Sequence, residues 1–64
     1  MSEREEKFEC MLQDVQAEYQ RTVSEMERLK GQNKTKTATY RQLFANKLTL
    51  LHLLSMYRSY GLLD

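Results

Sequence analysis

Gly31-Gln32-Asn33-Lys34-Thr35-Lys36-Thr37-Ala38 separates two stretches of helical pattern, and whether it bends or runs straight on decides what this chain can be. A glycine at its head is placed to cap a helix C-terminus, and Thr35, Thr37 and Thr39 are residues of modest helix propensity. The stretch therefore reads as a connecting loop over 31–38. Thr39, with Gln42 three residues on, is a capping-box candidate for a second helix beginning at about residue 39.

Upstream, Ser2-Glu-Arg-Glu5 fits the same capping pattern, so a first helix is predicted over about 3–30. Glu3, Glu5 and Glu6 fall in its first turn, where the unpaired amides and the macrodipole favour negative charge. Phe8, Leu12, Val15, Tyr19, Thr22, Met26 and Leu29 follow at alternating spacings of four and three. That is a heptad seam about 120° wide, enough for one neighbouring helix. The opposite face, Cys10, Gln13, Ala17, Gln20, Ser24 and Glu27, has no reason to be buried.

Downstream, a second helix is predicted to about residue 60. Its apolar residues, Tyr40, Leu43, Phe44, Leu48, Leu50, Leu51, Leu53, Leu54, Tyr57 and Tyr60, spread over more than about 200° of the helix surface. One partner cannot cover so wide a face. Only Arg41, Thr49, His52 and Ser59 mark a wet strip, so this helix should touch the first helix and at least one further chain.

Charge argues for an antiparallel arrangement. Residues 1–27 hold eight acids and three bases, a balance of −5, whereas residues 28–64 hold seven bases and one acid, a balance of +6. A hairpin sets these halves against each other; a parallel homodimer sets like against like. With the turn centred near residue 34 or 35, Leu29 faces Tyr40, Met26 faces Leu43, Tyr19 faces Leu50, Val15 faces Leu54 and Leu12 faces Tyr57. Thr22 then faces Lys47, whose stem can lie on the seam while its ammonium reaches Glu18 or Glu25. The rival is one continuous coiled-coil helix about 90 Å long, because the four-three phase passes through Asn33 and Lys36 without a slip.

Sixty-four residues with 41% hydrophobic and 30% charged side chains, two glycines and no proline describe one marginal helical unit, residues 1–64 as a single hairpin. Small scaffolds of this size lean on disulfides, metals or oligomerisation. One cysteine, Cys10, and one histidine, His52, leave oligomerisation. A net charge of +1 is no nucleic-acid signature, and the longest uncharged run, Leu48 to Tyr57, is about half a membrane span. The acidic start resembles no secretory or mitochondrial signal, and a lone thiol suits a reducing compartment, cytoplasm or nucleus.

No catalytic, cofactor or metal constellation emerges, and an enzyme is not expected. Leu50-Leu-His-Leu-Leu54 matches a Leu-x-x-Leu-Leu recognition pattern, which would make a regulatory protein that presents this helix to a groove. Lys30, Lys34, Lys36 and Arg41 surround the loop and could contact a polyanion, a nucleic acid or a filament surface. The preferred expectation is an all-α antiparallel hairpin assembling into a bundle or coiled coil, a structural subunit rather than a catalyst. Its expected interface is Phe8, Leu12, Val15, Tyr19, Met26 and Leu29 from the first helix. From the second come Leu43, Phe44, Leu48, Leu50, Leu51, Leu54 and Tyr57. Its expected partners are copies of itself or other helical proteins, with nucleic acid disfavoured and no membrane.

Overall fold

A computed structural model describes residues 2–63, and every regular element among them is a helix: α1, Glu3–Gly31, and α2, Ala38–Ser59. The two helices pack against each other in a body of 47 × 19 × 18 Å. One continuous helix is therefore not what this chain forms. The reason lies in hydrogen bonds that the four-three phase does not register.

Ser2 begins α1 as expected, its Oγ accepting the Glu5 amide at 3.2 Å. At the other end the expected glycine cap is displaced. Gly31 is the last helical residue, and the left-handed position belongs to Asn33, at φ 59°. The Asn33 amide donates to the Lys30 carbonyl at 3.1 Å and the Lys34 amide to the Leu29 carbonyl at 2.9 Å, a Schellman closure. Asparagine can occupy this conformation because its short polar side chain tolerates it.

Thr37, rather than Thr39, caps α2. Its Oγ1 accepts the Tyr40 amide at 3.2 Å and donates to the Lys34 carbonyl at 2.8 Å, so one hydroxyl ties the loop to the helix it starts. The C-terminal end of α2 repeats the Schellman pattern around Gly61, at φ 74°. There the Gly61 amide reaches the Arg58 carbonyl at 3.0 Å and the Leu62 amide reaches the Tyr57 carbonyl at 3.0 Å.

Between the helices lie the buried side chains of Leu12, Met26, Leu29 and Leu54, with Thr22 among them. Thr22 is 5% exposed, and its hydroxyl donates to the Glu18 carbonyl of its own helix at 2.9 Å. The Phe8 ring meets the Tyr57 ring edge to face, with centroids 5.6 Å apart and planes at 78°. Tyr57, expected opposite Leu12, thus reaches one turn nearer the start of α1. The strips expected to be wet are wet: Cys10, Gln13, Ala17, Gln20, Ser24 and Glu27 on α1, and Arg41, Thr49, His52 and Ser59 on α2.

Candidate interaction face

Two stripes run along α2. The first, Tyr40, Leu43, Lys47, Leu50, Leu54 and Tyr57, is buried or half-buried and follows the heptad phase of a helix packed on one neighbour. The second repeats that phase one position round the helix. Phe44, Leu48 and Leu51 stand four and three residues apart, and they are 47%, 50% and 45% exposed. An apolar heptad seam with no cover on it is the most informative surface feature of the chain.

The two flanks of the helix pair differ in chemistry. On one, Leu51, Leu54 and Arg58 of α2 border a shallow depression with Gln16, Tyr19 and Gln20 of α1. Arg58 is the one charged side chain there. On the other, Leu50, Asn46 and Thr49 lie beside Glu18, and Asp14, Glu18 and Arg21 line a neighbouring hollow with Met11. The uncovered leucines belong to the flank with amides and a phenol; the carboxylates belong to the other.

Of the residues expected at an interface, Leu12, Met26, Leu29 and Leu54 are buried in the chain's own seam. Phe8, Val15, Tyr19, Leu43, Leu50 and Tyr57 are half-buried beside them. Phe44, Leu48 and Leu51 are the members left for something else. Lys30, Lys34, Lys36 and Arg41 are all exposed around the loop.

The attraction expected between the acidic and basic halves is not realised as contacts. Among the described residues the ion pairs are Lys7–Glu3 at 3.0 Å, Arg21–Glu18 and Arg28–Glu25, all within α1. Lys47 accordingly does not find Glu18 or Glu25, each of which is held by an arginine three residues along the same helix. A partner one turn away on the same helix is reached without ordering a second one. Arg28 also donates through Nε to Glu25 at 3.0 Å, and hydrogen bonding from Arg28 holds the Glu25 carboxyl below its ordinary range, against an opposing desolvation and with a lesser help from the guanidinium's charge.

Sequence reasoning overlooked the end of the chain. Beyond Gly61, Leu62 lines a hollow with Arg4, Glu5, Phe8 and Glu9, and Leu63 is half-buried at the edge of the Gln16–Tyr19 depression. The signal was available, since a glycine at the left-handed position followed by a large apolar residue is how a Schellman end turns the chain back.

Among the described residues no three His, Cys, Asp or Glu side chains are grouped to hold a metal ion, and no helix is long and apolar enough to cross a membrane. The chain matches no family model, no curated protein and no solved structure.

Proposed function

We propose that this chain is a non-enzymatic assembly module: an antiparallel helical hairpin whose second helix docks, through Phe44, Leu48 and Leu51, against helices of another chain in a bundle. One observation carries the proposal, the second heptad stripe on α2 whose three large side chains stand about half exposed while the first stripe is covered. Burying such side chains is worth about 25 cal/mol per Å² of apolar surface, the largest favourable contribution open to a chain this small. The ring contact between Phe8, near the start of α1, and Tyr57, near the end of α2, supports the antiparallel pairing.

The Leu-x-x-Leu-Leu reading is weaker. Its last leucine, Leu54, is the most buried side chain of α2 at 9% exposure, and Leu50 and Leu53 are half-buried, so presenting the motif means unpacking the hairpin. The stripe at Phe44, Leu48 and Leu51 needs no such opening.

The test is Leu51→Asp, at the C-terminal end of the stripe, compared with His52→Asp on the wet strip. The parent chain should sediment above 7.7 kDa or, as a folded monomer, bind an apolar-surface dye such as anilinonaphthalene sulfonate. Leu51→Asp should abolish whichever is seen and His52→Asp neither. A monomer that binds no dye, or a Leu51→Asp chain that keeps the parent's mass and dye binding, defeats the proposal.

A further inference from the structure

We propose that the occupant of the Phe44–Leu48–Leu51 stripe is a second copy of this chain, laid antiparallel so that the loop end of each hairpin covers the open end of the other. This rests on the interface assigned above and adds the partner and its orientation. Two independent quantities lead to it, one of area and one of charge.

The accessible surface is 5223 Å². A folded monomer of 7.7 kDa exposes about 4,300 Å², so this hairpin carries about 900 Å² more than its mass accounts for. A standard protein interface covers about 800 Å² per partner. The excess, spread over the whole elongated body, is of the order that such an interface covers, and a two-fold pair asks one self-complementary face of each copy, with the Phe44–Leu48–Leu51 stripe at its centre.

Charge then sets the direction. Around the loop, Arg28, Lys30, Lys34, Lys36 and Arg41 occur with no acid among them; at the open end, Glu3, Glu5, Glu6, Glu9 and Asp14 outnumber Arg4, Lys7 and Arg58. Of these loop bases only Arg28 has an ion pair among the described residues, so Lys30, Lys34, Lys36 and Arg41 are free to meet an acidic surface. A two-fold axis at Leu48, the middle of the stripe, lies about 20 Å along the helix from the loop. It brings the loop of one copy level with the end of α2 in the second and, in the pairing that sets Phe8 against Tyr57, with residues 3 and 4 of its α1, beside Glu3, Glu5 and Glu6. In a parallel pair the loops, both basic, would lie together and repel.

Orientation is read from two charge-reversed chains. One carries Lys30→Glu, Lys34→Glu, Lys36→Glu and Arg41→Glu; the other carries Glu3→Lys, Glu5→Lys, Glu6→Lys and Glu9→Lys. In low salt the parent should sediment at twice 7.7 kDa. Each variant alone should dissociate at about tenfold lower dilution than the parent, and an equimolar mixture should recover parental affinity. The differences should fade near 1 M salt, where charges are screened within about 3 Å. Spin labels on Thr35→Cys in a Cys10→Ser chain should sit about 40 Å apart in the pair, twice the 20 Å from loop to axis.

Labels within about 20 Å of each other, the width of the hairpin, would mean parallel copies and overturn the proposal, as would variants that pair as tightly as the parent or a mixture that fails to recover. A folded monomer that binds the apolar dye overturns the second copy as occupant while the assigned interface stands. A monomer without dye binding removes both.

Discussion

Phe8 and Tyr57, 49 positions apart in the chain, meet edge to face at 5.6 Å, and theirs is the aromatic contact that joins the far ends of the two helices. Edge-to-face pairs contribute roughly 0.5–1.5 kcal/mol beyond the area they bury. A double-mutant cycle of Phe8→Leu and Tyr57→Leu in urea melts should therefore return a coupling of about 0.5–1 kcal/mol. A coupling indistinguishable from zero would show that the rings do not interact.

Thr22 carries a buried hydroxyl whose hydrogen bond is made to its own helix, at the Glu18 carbonyl. That carbonyl remains bonded within the helix when the hydroxyl is removed. Thr22→Val, which adds a methyl to the seam and leaves no orphaned partner, should be neutral or stabilise by up to about 1 kcal/mol. Loss of more than that on denaturant unfolding would place a second partner on the hydroxyl.

The cap of α2 separates two threonines that look alike in the sequence. Thr37→Ala breaks both the Tyr40 and the Lys34 hydrogen bonds and should cost about 1 kcal/mol. Thr39→Ala, at an exposed helical position, should stay within about 0.5 kcal/mol of the parent. The reverse order of melting temperatures would restore Thr39 as the cap.

Asn33 and Gly61 both hold positive φ, and a Cβ added at Gly61 meets nothing within 4 Å. The cost of Gly61→Ala is thus backbone strain alone, about 1 kcal/mol. Asn33→Gly should be nearly neutral and Asn33→Ala should be destabilising by a similar amount. Thermal melts of the three variants give the ranking directly.

Glu25 and Arg28 predict a pH effect with a definite sign. Because the carboxyl is held below its ordinary range by the arginine's hydrogen bond, the stability it contributes is present above the ordinary carboxylate range. It is lost as pH falls through the lowered value. Carboxyl NMR should show the Glu25 midpoint rising in Arg28→Gln, and the stability difference between that variant and the parent should vanish in acid.

The seam was readable from the sequence, because Leu12, Met26 and Leu29 recur at a spacing that only a helix places on one face, and Leu54 stands in the same relation to Leu43, Leu50 and Tyr57 on α2. So was the excess on α2, since Phe44, Leu48 and Leu51 fall outside the arc one neighbour can cover. Hydrogen bonds were harder to anticipate. Gly31 and Asn33 can both take the left-handed position, and Thr35, Thr37 and Thr39 can all cap, so composition does not choose among them. The donors and acceptors that lie within reach do. The balances of −5 and +6 misled on contacts because net charge ignores the partners each acid already has on its own helix.

The hydrogen bonds that close the loop join only residues 29–40, and this has a consequence in time. A segment that short finds its ends in about 10–100 ns, and helix grows from it at roughly a nanosecond per residue. Pairing can then spread outward from the bend, each layer held near its mate by the one before, until Phe8 and Tyr57 close last. Synthesis is far slower, about 5–20 residues each second. Closure at the bend is therefore over long before one further residue is added, so the pairing of the helices is paced by the supply of chain and not by the search of its ends for each other.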